Sequence, residues 1–348
     1  MSPKRKKKIL FIIGSPNQTT QMYQIYLQLM EDFDCYFTQF FPSDWFMYST
    51  LKLGTLEHTI ISGKFKEMGE KFVKNNGLKY DYAGESLGHK YDLIFLCTDM
   101  SYPRICKETR SIWVQEGMTD PVTPWAKFVK KMKMPPYMAF KTSLNGSSNK
   151  ADIYCVASQG YKDYFSDMGT ERERIIVTGI PNYDNAKEFL MNDFMHNDYV
   201  LVCTSDIREQ KFSEDRIGFI NKCVEIANGR RLFFKLHPNE IWDRAYNEII
   251  QNTPEGTLVF QNEDTNHMIA NCCELITQYS TVVYIGIALG KPVHSYFNVE
   301  VLKKQLPIQN EGTSAYNIAA IAREFVDFNG GGKEFLQQLD AGFILQPV

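Results

Sequence analysis

Short apolar runs alternate with longer amphipathic stretches along the whole chain. The apolar runs predict strands at 8–13, 35–40, 93–97, 111–115, 153–157 and 175–178, then at 199–204, 231–236, 257–260, 275–277 and 292–296. Helix-like segments lie between them, such as 18–31, 213–227, 242–252, 266–271 and 281–289. This alternation predicts parallel sheets with helices on both faces. Strands that are apolar throughout belong to sheets covered on both sides.

The pattern restarts once. Gly179-Ile180-Pro181-Asn182 closes one series, 187–198 is polar and mixed, and Tyr199 opens a new strand. The expected architecture is α/β, with two Rossmann-like, doubly wound parallel-sheet domains facing a central cleft. The first domain is 1–190. The second is 191–348, its last helix packing back on the first. Ligands of such sheets bind beyond the carboxyl ends of the strands, so candidate chemistry is sought there. The segment 121–149, rich in Lys, Pro, Met and Ser, has no clean period and reads as a mobile loop or a short-helix insertion.

Composition narrows the function classes. The 348 residues are 44% hydrophobic and 14% aromatic, enough for two cores. A net charge of −3 gives no electrostatic footprint for nonspecific nucleic-acid binding. The one basic cluster is Lys4, Arg5, Lys6, Lys7 and Lys8, running into a five-residue apolar stretch too short for a signal peptide. It reads as a solvated tail, with peripheral membrane contact as the second reading. No apolar run is long enough to span a bilayer. The eight cysteines show no zinc spacing, and several sit inside apolar runs. The expected location is the cytoplasm, where Asn17 and Asn145 are chance glycosylation sequons, with the inner membrane face as the peripheral alternative.

Five segments carry candidate chemistry. Gly14-Ser15-Pro16-Asn17 follows the first strand and suits an anion or an acceptor hydroxyl, or simply caps a helix. Gln115-Glu116-Gly117 ends a strand in a carboxylate that can take a proton from a hydroxyl; the alternative is a surface Glu before a turn. Asp99 has the same strand-end position. Thr204-Ser205-Asp206 offers a nucleophile or a helix cap. His237-Pro238 follows a buried strand and can hold a phosphate, whereas His58, His89, His196, His267 and His294 read as structural or exposed. Ser280 and Thr281 place two hydroxyls at a helix start, as a phosphate site or an ordinary cap. Lys235 and Lys291 flank these groups and are phosphate ligands or solvated. No Asp-x-Asp motif is suitably placed, so no metal is expected.

Ile276-Thr277-Gln278-Tyr279-Ser280-Thr281-Val282, ending in Leu289-Gly290-Lys291-Pro292 and preceded by His237-Pro238, resembles the phosphate-binding segment of GT-B transferases. The pair is similar to that of bacterial sialyltransferases, Kdo transferases and CDP-glycerol glycerophosphotransferases. The resemblance implies a metal-independent, GT-B-like glycosyltransferase of surface polysaccharide or glycolipid synthesis. It would take a nucleotide-activated sugar (a CMP-sugar favoured) as substrate, need no cofactor, and use a carbohydrate or lipid-linked acceptor. His237, Pro238, Ser280 and Thr281 would hold the phosphates and Glu116 would be the general base. Gly14, Ser15, Asp99, Gln115 and Gly117 would line the substrate site. Relatives carry an acidic pair where this chain has Gln115-Glu116; Asp206 matches a second-domain carboxylate of the Kdo enzymes by position.

The order Thr98-Asp99, Val114 to Gly117, Ile175 to Gly179 and Leu236 to Asn239 is also similar to non-hydrolysing UDP-N-acetylglucosamine 2-epimerases. That resemblance implies functional positions at Asp99, Glu116 and His237. The family's Gly-Gly and Glu-rich helix is replaced here by 280–286, and its second catalytic Glu has no counterpart in 121–149. A catalytically inactive nucleotide-sugar-binding protein is the third reading.

Overall fold

Behind Lys8, five apolar residues in succession make β1 (Lys8–Ile13), and Ile9 to Ile13 are all closed to solvent. A strand apolar on both faces can persist only inside a covered sheet. The computed structural model describes residues 5–42, 44–53, 60–139, 141–209 and 211–339. Lys4 and His58 lie outside the described residues. The chain divides into two units, one holding everything up to Asp184 plus everything from Asn310, the other Asn185–Gln309.

Unit 1 continues with α1 (Pro16–Leu29), β2 (Asp34–Gln39), α2 (Trp45–Lys52), α3 (Gly63–Asn75) and β3 (Leu93–Leu96). Next come α4 (Arg104–Glu108), β4 (Ser111–Val114), α5 (Pro124–Lys131), β5 (Ile153–Val156), α6 (Gln159–Asp167) and β6 (Ile175–Val177). The six strands pair in parallel in the order β2-β1-β3-β4-β5-β6. The direction of winding reverses between β1 and β3, which opens a crevice at their carboxyl ends.

Unit 2 comprises β7 (Val200–Cys203), α7 (Arg216–Ala227), β8 (Leu232–Lys235), α8 (Trp242–Gln251) and β9 (Leu258–Phe260). It is completed by α9 (Thr265–Asn271), β10 (Glu274–Thr277), α10 (Val283–Ala288), β11 (Val293–His294) and α11 (Val299–Gln305). Its five parallel strands run β11-β10-β7-β8-β9, so winding reverses between β7 and β10.

The chain then returns to unit 1 as α12 (Ser314–Phe325) and α13 (Gly332–Gln338). The second unit therefore ends at Gln309 rather than running to 348. The reason is hydrophobic: Ile318, Ile321, Ala322 and Phe325 of α12 join the core formed by Phe11, Ile25 and Leu29. Asp184 anchors the crossing by accepting the Ser314 N–H at 2.8 Å.

The segment 121–149 contains α5 and two 3-10 turns, Pro136–Ala139 and Thr142–Leu144. Ala126, Val129, Ala139 and Leu144 give it a small core of its own, so the short-helix reading holds there. Among the described residues, no helix is long and apolar enough to cross a membrane.

Candidate functional site

Three neighbouring strands of unit 2, β10, β7 and β8, end at the same sheet edge. Their carboxyl ends carry Ser280 and Thr281, Asp206, and His237 respectively, so the switch point gathers the candidates of this half. The His237 imidazole is about one-third exposed, and its Nδ1 accepts the Asn239 N–H at 3.2 Å. An accepting Nδ1 leaves the ring proton on Nε2, where it can be donated outward. Pro238 is exposed and sets the turn that brings Asn239 back.

A buried ionic support lies beneath this turn. Glu240 takes the His237 N–H at 3.0 Å and the Thr204 hydroxyl, and pairs with Arg216 at 2.9 Å. Burial raises the Glu240 carboxyl above its ordinary range, against the pull of Arg216. Arg216 also meets Glu214, which receives the Gln278 amide at 2.6 Å. Gln278 in turn accepts from the Ser205 N–H at 3.0 Å, and Ser205 and Tyr279 exchange two hydrogen bonds. The loops after β7, β8 and β10 are thus braced together. Thr204, Asn239 and Glu240 lay inside the segments singled out in the sequence but had no role there, and Glu214 and Arg216 were missed, because charged residues inside a polar stretch carry no periodic signal.

Asp206 is not the helix cap that was considered. Asp215 caps α7, accepting from Gly218 at 2.9 Å. Asp206 instead accepts from the Asn239 amide at 2.9 Å and lies 3.7 Å from His237 Nδ1. Asp206 is thus tied to the His237 turn through Asn239, which donates both to its carboxylate and to Nδ1. The helix after Ser280 also begins later than expected, at Val283, and is only six residues long. Its dipole therefore contributes little, and Ser280 is not its cap. Among the described residues, neither the Ser280 nor the Thr281 hydroxyl forms a hydrogen bond, and both side chains are partly accessible.

Lys235 and Lys291 are not phosphate ligands. Lys235 is buried and donates to the Gln261 carbonyl at 2.9 Å. Lys291 precedes β11, at the opposite sheet edge, and holds the carbonyls of Ala270 and Cys272 at the end of α9. His294 pairs with Glu274 at 2.6 Å, and His196 packs edge-on against Phe233.

In unit 1, residues separated by a hundred positions meet. The Ser15 hydroxyl donates to Glu116 Oε1 at 2.5 Å, and the Gln18 amide donates to Oε2 at 2.7 Å. Burial lifts the Glu116 carboxyl above its ordinary range, while these two donors pull it down. Ser15 also caps α1 through the Gln18 N–H at 3.2 Å, so the capping and chemical readings coexist. Gly14 leaves room here: a Cβ would displace the Gln18 amide and lie 3.1 Å from Ile60. Gln115 is buried and holds the strand end, bonding Gly117 O and Ala157 N at 2.9 Å each. Gln18 falls in the same strand-to-helix segment as Gly14 and Ser15, but nothing local distinguishes it from other first-turn residues.

Asp99 is a correction. It is fully buried, and its carboxylate accepts from Gly146 N at 2.7 Å, Ser148 N at 3.0 Å and the Tyr154 hydroxyl at 3.2 Å. It closes the loop before β5 and has no face toward a substrate.

No protein-family model matches the sequence, and no curated protein matches it. Solved structures do resemble the fold. A putative UDP-N-acetylglucosamine 2-epimerase from Listeria monocytogenes superposes with a TM-score of 0.61 at 14% identity, over 94% of this chain and 98% of that one. The UDP-GlcNAc 2-epimerase of Neisseria meningitidis bound to UDP-GlcNAc gives 0.58 at 11%, over 91% and 100%. That of Methanocaldococcus jannaschii in complex with UDP-GlcNAc and UDP gives 0.54 at 13%, over 91% and 99%. The fold is GT-B-like: α/β with two Rossmann-like units.

Proposed function

We propose that this chain is an enzyme of nucleotide-sugar chemistry, holding the substrate's phosphates in unit 2 and acting on a UDP-N-acetylhexosamine as a 2-epimerase does. The observation that carries the reading is the switch point of unit 2. There His237 Nε2 and the hydroxyls of Ser280 and Thr281 stand at strand ends with their donors unused, on a braced frame. Fixed donors of this kind stabilise charge developing on a departing phosphate. The UDP-GlcNAc bound by two structural neighbours favours UDP over the CMP expected from the transferase resemblance.

Inverting C2 of such a sugar requires loss of its proton. The C2–H electron pair becomes a C1=C2 double bond as the diphosphate leaves C1 with the C–O pair. Return of the diphosphate to C1 and of a proton to the other face of C2 gives the epimer. Within unit 1, Glu116, whose carboxyl is raised above its ordinary range by burial, is the candidate proton acceptor. Within unit 2, His237, Ser280 and Thr281 are the candidate diphosphate ligands.

Glycosyl transfer to a carbohydrate or lipid-linked acceptor is the second reading, and the burial of Asp99 favours it. Epimerisation needs proton transfer on two faces of the sugar, whereas transfer to a hydroxyl needs one base. Incubation with UDP-GlcNAc in deuterium oxide separates the readings. Appearance of the 2-epimer with deuterium at C2 supports epimerisation. Release of UDP or CMP from a nucleotide sugar without C2 exchange supports transfer. Binding with neither outcome, over a panel of UDP- and CMP-sugars and acceptors, leaves the inactive binding protein.

A further inference from the structure

The inserted segment after β4 builds a pocket wholly within unit 1 and unused by the chemistry above. It has a volume of about 460 Å³ and is walled by Met100, Met134, Pro135 and Leu144. Four lysines line it: Lys107, Lys130, Lys133 and Lys150. Among the described residues none of the four forms an ion pair, and Lys130 Nζ is buried with no hydrogen-bond partner. Asp44 is the acid in the lining, and its oxygens already accept from Met47 N at 2.9 Å and the Tyr137 hydroxyl at 3.2 Å. Asp99 lies behind the wall, its oxygens taken up by the loop before β5. Burial lowers the ammonium pKa of Lys130 and Lys150 against the attraction of Asp99. Four lysines converging on one pocket with no ion-pair partner among the described residues, and with Asp99 set back behind the wall, form an arrangement that an anion stabilises.

The rim supplies the second observation. Asp44 caps α2, and Tyr137 stacks on Phe46 of that helix with ring centres 6.5 Å apart. The Trp125 indole of α5 donates to the neighbouring Met138 carbonyl at 2.8 Å, and its ring stacks on Phe128. Trp45, Phe46, Trp125 and Phe128 are exposed, Trp45 to 78%. α5 adds Lys127 and Lys131 beside these rings. Exposed indoles and phenyls next to lysines are the composition of an interfacial helix, whose rings enter the headgroup boundary while the ammonium groups meet phosphate.

We propose that this face of unit 1, comprising α2, α5 and the lysine pocket between them, docks on an anionic phospholipid surface, with a headgroup phosphate seated among Lys107, Lys130, Lys133 and Lys150. The site is separate from the basic N-terminal run and does not depend on the catalytic reading.

Co-sedimentation of the full chain with vesicles tests it. Binding is expected to phosphatidylcholine vesicles containing phosphatidylglycerol, not to phosphatidylcholine alone, and to fall as salt rises. Lys107, Lys133 and Lys150 are exposed, so the triple change to Gln leaves the fold intact, as a thermal melt verifies. Removing three charges near the surface is expected to weaken binding at least about thirtyfold. Trp45→Ser with Phe128→Ser is expected to weaken it while leaving the salt dependence. Equal binding to both vesicle types, full binding by the folded triple variant, or loss of binding on deleting residues 1–6 alone would each overturn the proposal. Binding of inorganic phosphate or glycerol 3-phosphate without vesicle binding would overturn it in favour of a soluble anion.

Discussion

The Ser15 hydroxyl donates to Glu116 across the end of β3, because the strands that deliver the two residues, β1 and β4, flank that strand. A turn that caps a helix thereby also holds and tunes a carboxylate.

Glu116→Gln is expected to lower turnover at least about a hundredfold, as loss of a general base does. Its effect on stability has the opposite sign. The folded carboxyl is raised above its ordinary value, so its stabilising contribution is complete below the ordinary glutamate range and is lost as pH rises through the higher folded value. At neutral pH the amide therefore melts no lower than the parent, which calorimetry against pH checks. The acid limb of the parent's pH–rate profile lies above the usual glutamate range.

His237→Ala is expected to weaken UDP binding by about 1.5–3 kcal/mol, the worth of a hydrogen bond to a charged group. Because the ring is partly exposed, the melting temperature without ligand stays near that of the parent. Titration calorimetry with UDP and CMP reads the loss and shows which nucleotide the site prefers.

Glu240→Ala takes from buried Arg216 the nearer of its two carboxylates, leaving Glu214 at 3.4 Å, and is expected to cost up to about 3–5 kcal/mol. Urea unfolding measures it. Replacing both residues together, Arg216→Met with Glu240→Leu, is expected to recover much of that stability. It does not restore nucleotide affinity, since the acceptor for the His237 N–H is gone.

Asp99→Asn presents an amide donor to groups that are themselves donors, and is expected to cost about 1–3 kcal/mol of stability. The pH–rate profile of the folded protein keeps its shape and position. A shifted acid limb in this variant would return Asp99 to the chemistry.

Two residues show how far the sequence reaches. Glu116 and Asp99 have the same signature, a carboxylate just past a short apolar strand. Glu116 stays only partly covered because the chain turns away at Gly117 and the carboxylate meets the first turn of α1. Asp99 is covered because the loop closing the inserted segment folds its Gly146 and Ser148 amides over it. Ser280 shows a similar limit: the strand before it is legible, while the late start of α10 depends on how the turn at 280–282 packs.

The strands, their parallel pairing and the sheet edge where polar groups collect were all legible in the order of residues. Runs of apolar residues must be covered, and the residues that stop them must stand outside. Tertiary structure alone decided the rest: the joining of Ser15 and Gln18 to Glu116, the ionic frame under His237, the enclosure of Asp99 and the return of α12 to unit 1. Each of these depends on which groups are left facing one another once the sheets have formed, and that information is spread over residues distant in the chain, 47 positions apart for Asp99 and Gly146 and 101 for Ser15 and Glu116.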